Sequence, residues 1–306
     1  MIFPEGFTYL TIGFKIQLKS EAIFPKFKGS LLRGVLGKSM HDLSCREKDV
    51  ECNECGSLIR CPYANLFKPE LILKNQLVTV PFVIFSEDNK EFLNPEDTIP
   101  LQITLLGDFI DYMDYFLKSF HFAGQIGLGH KRAKFDIIKI RVGEEKLIYK
   151  DGKIVGNVGF DRQSLSAING NGWQEPVRKL KIRFLSPVSI FKDKKHIYAP
   201  RIEDIIEYLV HRVNRLNKSI WRIDGYSLDR GMFNNGKINV TKYNIHYNKI
   251  FKSKGLGSKV ELSGFTGSMD LSGELNSIYP LLKAGEVLHI GSRTSYGLGK
   301  YDLSVL

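Results

Sequence analysis

Four cysteines form the densest group of chemically active side chains in the sequence. They are Cys45, Cys52, Cys55 and Cys61, and the 306-residue chain has no others. Cys52 and Cys55 have the C-x-x-C separation of a metal-binding knuckle, and four thiolates satisfy the tetrahedral geometry of zinc. An iron–sulfur cluster also takes four thiolates, although zinc is the favoured ion. A site closed by four thiolates leaves no position for a substrate, so the pattern predicts a structural ion and no catalytic metal.

The alternative use of four cysteines is a pair of disulfides, which depends on the compartment. The first residues, Met-Ile-Phe-Pro-Glu-Gly, lack a basic segment and a cleavage site, so no secretory signal is expected. No stretch approaches the roughly 20 apolar residues that span a bilayer, so no membrane is expected as a partner. These features predict a cytoplasmic location with reduced thiols.

Two glycine-rich turns with neighbouring cations lie about half the chain apart. The first contains Gly127 and Gly129 and the second contains Gly297 and Gly299, and in each an aromatic residue, an aspartate and an apolar strand accompany the turn. An internal repeat at this distance predicts two similar domains. Glycine lets the backbone approach a ligand closely, and the cations favour phosphate. The residues predicted to contact an anion here are Gly127, Gly129, His130, Lys131, Arg132, Gly291, Arg293, Gly297, Gly299 and Lys300.

The overall charge indicates the same kind of ligand. Lysine and arginine outnumber aspartate and glutamate by 44 to 33, which gives a net charge of +11. Such an excess favours a polyanionic partner, with nucleic acid ahead of an anionic membrane surface. A further basic hairpin, with Lys252, Lys254 and Lys259, is a candidate for contact with a nucleic-acid groove or backbone.

The secondary-structure pattern places these residues in two halves of an α+β protein. Alternating apolar residues predict strands at 7–19, 76–86, 98–106 and 133–141, and helical spacing predicts helices at 28–43 and 108–121. The second half repeats the order with strands at 179–191, 239–252 and 259–269, helices at 201–217 and 275–283, and a terminal strand. The order βαββαβ is that of the ferredoxin-like fold.

Three regions follow from this order. Residues 1–141 form an N-terminal ferredoxin-like domain with the four-cysteine insert at 45–61. Residues 142–178 form a connector with a β-hairpin across Asp151 and Gly152. Residues 179–306 form a C-terminal ferredoxin-like domain, and each domain has a glycine-rich loop before its last strand.

Tandem ferredoxin-like halves with these loops resemble the RAMP superfamily of CRISPR systems. The sequences that carry the resemblance lie at residues 27–37, 61–67, 124–129, 263–267 and 288–299. Within that superfamily the chain is most similar to the endoribonucleases that cut precursor CRISPR RNA. The resemblance implies antiviral defence, repeat RNA as the partner, a monomer or homodimer, and a cleft between the halves as the RNA path. A non-catalytic RNA-binding subunit of a CRISPR effector complex is the alternative, which would add other effector subunits as partners.

The resemblance also implies RNA cleavage without a metal. In that chemistry the 2′-hydroxyl attacks the phosphate with the help of a base, a cation and an acid, leaving a 2′,3′-cyclic phosphate and a 5′-hydroxyl. Histidine suits the proton transfers because its pKa lies near 6.5. Related nucleases place a catalytic histidine near the end of the first helix, which here is His41, with Lys38 one turn earlier. His289, before the terminal glycine loop, is the second candidate.

Overall fold

In the computed structural model of the chain, the described residues are 2–73, 78–143, 146–150, 153–154, 161–169, 176–233, 237–255 and 258–306. They form two compact units. The first unit comprises Thr8–Gln163 with Ser219–Arg222. The second unit comprises Ser164–Lys218 and Ile223–Leu306, together with the N-terminal segment that ends at Phe7.

The α-helices of the described chain are α1 (Gly29–Ser44), α2 (Pro62–Phe67), α3 (Pro69–Ile72), α4 (Met113–Ile126), α5 (Ile202–Leu216) and α6 (Tyr279–Leu288). None of them combines the length and the apolar composition needed to cross a lipid bilayer. The longer helices bury one face each; in α5, for example, Ile205, Leu209 and Val213 are fully buried. Apolar residues four positions apart fall on one face of a helix, and here that face is buried.

The first unit is built on a seven-stranded sheet in which six strands lie in the order β3-β5-β1-β6-β7-β8. The strands up to residue 164 are β1 (Thr8–Leu18), β2 (Ala22–Ile23), β3 (Phe82–Phe85), β4 (Phe92–Leu93), β5 (Thr98–Leu106), β6 (Phe135–Val142), β7 (Lys146–Lys150), β8 (Lys153–Ile154) and β9 (Gln163–Ser164). Alternate residues of β1, including Leu10, Ile12 and Phe14, are buried in the core with α1 and α4 residues. The elements β1, α1, β3, β5, α4 and β6 follow the predicted βαββαβ order.

The second unit repeats this arrangement with a four-stranded antiparallel sheet in the order β13-β16-β10-β17. Its strands are β10 (Lys179–Val188), β11 (Phe191–Lys192), β12 (Lys195–His196), β13 (Ile238–Asn248), β14 (Phe251–Gly255), β15 (Ser258–Glu261), β16 (Gly264–Gly273) and β17 (Tyr301–Val305). In both units the first strand lies between the third and the fourth, and the second lies at the edge. The predicted tandem ferredoxin-like fold is therefore confirmed.

The boundaries of the two units differ from the predicted domains 1–141, 142–178 and 179–306. The hairpin of the expected connector extends the first sheet, because β7 pairs with β6 through Lys139 and Lys150. Its turn, residues 151–152, lies outside the described residues. Near the N-terminus, the Phe7 ring packs edge-on against Tyr226 of the second unit, with centroids 4.6 Å apart. Strand pairing and this aromatic contact thus assign both segments to units that sequence periodicity did not indicate.

Candidate active site on the first helix

His41 lies in the last turn of α1, where its side chain is 35 % exposed. Its ring meets the Tyr63 ring edge-on, with centroids 4.9 Å apart and planes at 81°. Its Nδ1 atom is 3.7 Å from Oδ1 of Asp42. The imidazole is therefore open to solvent on one side and held by an aromatic ring on another.

Tyr63 is placed by the short helix α2, which follows directly after the cysteine insert. Pro62 occupies the first turn of α2, where its fixed φ favours the start of a helix. The Tyr63 ring stacks on Phe67 at 5.5 Å and 13°. A Cβ at Gly37 would lie only 3.1 Å from Cε1 of Phe67, so a glycine in α1 permits the close approach of α2. The packing of α1 on α2 is what brings Tyr63 to His41.

The protonation state of Tyr63 follows from its surroundings. Burial raises the pKa of Tyr63, while the Lys68 cation works in the opposite direction. The phenol therefore stays protonated at neutral pH and keeps its hydrogen-bond donor. Nζ of Lys68 lies 5.9 Å from the Tyr63 ring, and the Arg33 guanidinium lies 5.3 Å from the Phe67 ring. These cations make the neighbourhood of His41 favourable for an anion.

Lys38 lies on the same face of α1 as His41. Its Nζ is 3.2 Å from Oδ2 of Asp42, one helical turn further on. Asp42 thus contacts both of the candidate catalytic side chains on this helix. Lys38 and the ion pair are partly exposed, so a phosphate could compete with the carboxylate for the ammonium group.

The cysteine insert adjoins this group through both of its ends. Cys45 directly follows α1, its N–H donating to the His41 carbonyl, and Cys61 directly precedes α2. Cys45, Cys55 and Cys61 line one cavity of about 400 Å³, together with Glu47. A hydrogen bond from the Ser57 backbone lowers the pKa of the Cys55 thiol, but burial and Glu47 outweigh it and raise that pKa.

All four thiols are free and partly exposed. Within the described ranges, no group of three or more histidine, cysteine, aspartate or glutamate side chains is arranged to hold a metal ion. The sequence-predicted ligands Cys45, Cys55 and Cys61 are therefore neighbours around one cavity, but they do not stand at the positions of a closed metal site.

His289, the second catalytic candidate, occupies a different environment in the second unit. It follows α6 with a left-handed φ of 58° and is 3 % exposed. Its Nδ1 donates to the Leu298 carbonyl at 3.1 Å. Burial lowers the pKa of His289 well below its usual value, and the Lys300 and Arg212 cations lower it further. A neutral, enclosed ring of this kind fits packing better than proton transfer to a ligand.

The glycines of the terminal loop make close contacts within the second unit. A Cβ at Gly299 would collide with the Ile290 carbonyl oxygen, and one at Gly291 would lie 2.5 Å from the Ser189 carbonyl oxygen. Nζ of Lys300 donates to the Glu286 carbonyl at 2.6 Å, whereas Arg293 is exposed. In this loop the glycines permit close packing of the backbone. Of the predicted basic residues, Arg293 is exposed and Lys300 is half-buried.

The earlier glycine loop connects α4 to β6 in the first unit. Gly127 has a φ of 86°, and a Cβ there would collide with the Arg132 carbonyl oxygen. The side chains of His130, Lys131 and Arg132 are all exposed. Lys131 lies 3.8 Å from the equally exposed Glu21, a weak surface pair. This loop therefore presents its cations to solvent.

The basic hairpin predicted at Lys252, Lys254 and Lys259 is present as strands β14 and β15, which pair through Lys252 and Val260. Lys259 is exposed. The side chains of Lys252 and Lys254, and the turn at 256–257, lie outside the described residues.

The candidate catalytic residues named from the sequence do not include Arg33, Lys68 or Tyr63. Arg33 lies five residues before Lys38 on α1, which is not the three- or four-residue spacing of neighbours on one helix face, so helical periodicity could not have marked it. The contact between His41 and Tyr63 spans the cysteine insert, so no local pattern could reveal it.

Comparison with protein families gives two matches that together span most of the chain. The family of the AF_1859_N N-terminal domain matches residues 7–160, which is half of the chain. The family described as CRISPR-associated endoribonuclease Cas6 matches residues 182–301. An uncharacterized protein of Archaeoglobus fulgidus is 22 % identical over 305 residues, covering 94 % of this chain and 96 % of its own length.

Solved structures have the same fold. A Cas6 from Thermus thermophilus aligns with a TM-score of 0.58 and 13 % identity, covering 97 % of this chain and 99 % of its own. The product complex of that Cas6 aligns with the same TM-score and coverage and with 14 % identity. A chain of a partial Cas6-RT-Cas1–Cas2 complex aligns with a TM-score of 0.65 and 12 % identity, covering 99 % of this chain and 47 % of that longer chain.

Proposed function

We propose that this chain, which belongs to the AF_1859_N family and is a CRISPR-associated RNA-processing protein of the Cas6 type, cuts CRISPR repeat RNA without a catalytic metal. The products would be guide RNAs with 2′,3′-cyclic phosphate ends and fragments with 5′-hydroxyl ends. The observation that carries the proposal is His41, a solvent-accessible imidazole seated on Tyr63 at the end of α1. The nearby cations Lys38, Arg33 and Lys68 suit a phosphate at this place.

The proposed reaction uses the RNA's own hydroxyl as the nucleophile. Neutral His41 accepts the proton of the 2′-hydroxyl through a ring nitrogen while O2′ forms a bond to phosphorus. The Lys38 ammonium stabilises the additional negative charge of the phosphorane. The bond from phosphorus to the 5′-oxygen then breaks, that oxygen takes a proton from water, and the proton held by His41 neutralises the hydroxide that remains. The Tyr63 ring fixes the orientation of the imidazole.

The RNA would contact basic side chains outside this centre. In the first unit these are His130, Lys131 and Arg132, and in the second Arg293, all of them exposed. Phosphate contacts of this kind position a strand without selecting its sequence. The product complex solved for a Cas6 of the same fold supports repeat RNA as the partner.

Incubation with repeat RNA in EDTA tests the reaction. We expect cleavage to persist and the products to carry cyclic phosphates, detected by mass spectrometry. His41→Ala should slow single-turnover cleavage by about 10²–10⁴-fold, the usual contribution of a general base. The matched control is His211→Ala, another exposed histidine on a helix, which should cleave at the wild-type rate.

Two results would contradict the proposal. Unchanged cleavage in His41→Ala would remove this residue from the reaction. Tight binding of repeat RNA with no cleavage by the wild-type protein would instead identify a non-catalytic RNA-binding subunit.

We also propose a structural zinc ion in the insert, with Cys45, Cys52, Cys55 and Cys61 as ligands. Three of these thiols already line one cavity, and closing it around an ion would fix the segment between α1 and α2. Zinc would supply cross-linking here, whereas an iron–sulfur cluster is the less favoured occupant. Elemental analysis of the purified protein should give about one zinc per chain, and less than that for Cys55→Ser. A chain that has lost its metal but keeps the thermal stability of the untreated protein would exclude a structural ion.

A further inference from the structure

An exposed aromatic cluster lies in the second unit, and the proposed cleavage chemistry does not use it. Tyr198 is 57 % exposed, and its ring packs on Tyr247 with centroids 4.4 Å apart. Behind them the His196 ring lies 4.2 Å from Phe191 and 5.9 Å from Tyr247. A large aromatic face open to solvent, supported from below by further rings, is suited to a flat ligand.

The segment that carries the cluster is held rigidly. Strands β11 and β12 form a hairpin in which Phe191 pairs with His196, and the Ile197 N–H donates to the Ile190 carbonyl at 3.0 Å. The two turn residues, Asp193 and Lys194, both have left-handed φ angles, 49° and 63°. Turns of this form close two-residue hairpins, although residues other than glycine occupy them at some cost. The aromatic face therefore needs little ordering when a ligand binds.

Three lysines project from the same hairpin. Lys192 and Lys195 stand directly opposite each other across the strand pair, and Lys194 lies at the tip; all three are exposed. Like charges in directly opposed positions destabilise a strand pair. Two acidic residues belong to the same region: Asp193 lies in the turn, and Oε1 of Glu261 is 3.4 Å from Nε2 of His196. The concentration of positive charge costs stability, and a polyanion would offset it.

We propose that Tyr198, supported by Tyr247 and His196, stacks an unpaired base of the RNA while Lys192, Lys194 and Lys195 bind the adjoining phosphates. An unpaired base is required because bases within a duplex are already stacked on their neighbours. Stacking is also tolerant of sequence, so this platform would hold a single-stranded stretch next to the cleaved repeat. The proposal rests on the proposed function in that the ligand is the same RNA.

The test uses single-stranded RNA of about eight nucleotides, the length that one such site covers, with a central 2-aminopurine. Stacking on the wild-type protein should quench its fluorescence. Tyr198→Ala should abolish the quenching and weaken binding about tenfold, whereas Tyr198→Phe, which keeps the ring, should retain both. Phe92→Ala is the matched control, because Phe92 is an aromatic residue of the first unit that is 75 % exposed.

A second pair of variants keeps the proposal testable if Tyr198→Ala misfolds. Lys192→Gln and Lys195→Gln should each reduce the slope of log affinity against log salt by about 0.7, the value for one phosphate contact on a single strand. An unchanged slope in both, or unchanged quenching in Tyr198→Ala, would overturn the proposal.

The remaining outcomes separate this proposal from the proposed function. A wild-type protein that quenches the oligonucleotide but does not cleave repeat RNA would keep the platform and remove the nuclease. Loss of a protein partner in Tyr198→Ala with intact RNA affinity would identify a protein-docking surface and overturn the platform.

Discussion

The two glycine turns of this chain have similar sequences but different environments. In the turn that leads from α4 to β6, His130, Lys131 and Arg132 all face solvent. In the turn before β17, Lys300 donates to the Glu286 carbonyl, and the residue that precedes the turn, His289, is enclosed in the second unit. The first turn therefore offers a basic surface, and the second is largely part of the packed interior.

The difference shows which part of the repeated motif is constrained. In both turns a glycine is required by the protein's own backbone, since a Cβ at Gly127 or at Gly299 would collide with a carbonyl oxygen. Both also have positive φ angles, which other residues rarely adopt. Two of the cations, Arg132 and Arg293, also adopt positive φ angles of 49° and 58°, but their side chains are exposed. Backbone geometry thus requires glycine in both copies, and the charged side chains can serve separate functions.

The largest effect is expected from Gly299→Ala, because the new Cβ would meet the backbone of Ile290 and no flexible side chain could move aside. Together with the left-handed φ of 80°, this should lower the free energy of unfolding by about 3 kcal/mol, measured by urea denaturation. Gly56→Ala is the control, since a Cβ at Gly56 has no atom within 4 Å and should change stability by less than about 0.5 kcal/mol.

Equal stabilities for Gly299→Ala and Gly56→Ala would mean that the terminal turn can relax away from Ile290. The distinction between a packed and an open turn would then lose its support.

Much of the fold could be predicted from the sequence because it depends on local periodicity. The alternation in β1 and the helical spacing in α5 gave the correct elements, and their order gave the tandem fold. The hairpin β7–β8 was assigned to a connector because its pairing with β6 depends on register and not on composition.

The candidate site was less predictable because its contacts join distant segments. His41 and Tyr63 are 22 positions apart and meet only when α2 packs on α1 at Gly37. Tyr198 and Tyr247 are further apart still, and their contact depends on the neighbouring paths of the β11–β12 hairpin and β13. The burial of His289 was also hidden, because it depends on how the end of α6 packs on the terminal loop, where the ring meets the Leu298 carbonyl.

A smaller effect is expected from His289 on the pH dependence of folding stability. This effect measures the difference between the two turns most directly. Its pKa is depressed in the folded protein, mainly by burial. Below pH 6.5 the unfolded chain therefore binds more protons at this residue than the folded chain does. The stability contributed by the neutral His289 ring is complete above pH 6.5. As the pH falls from there towards the pKa of the folded state, the free energy of unfolding decreases by up to about 1.4 kcal/mol per pH unit.

His289→Gln should remove this acid-dependent loss, whereas His130→Gln, at the exposed turn, should retain it. Urea unfolding between about pH 5 and 7 measures the slope for each variant against the wild-type protein. Carboxylates elsewhere contribute equally to all three proteins, so the difference in slope reports the single histidine. Parallel slopes for wild type and His289→Gln would show that the ring accepts a proton in the folded state, and His289 would then return as a candidate for proton transfer.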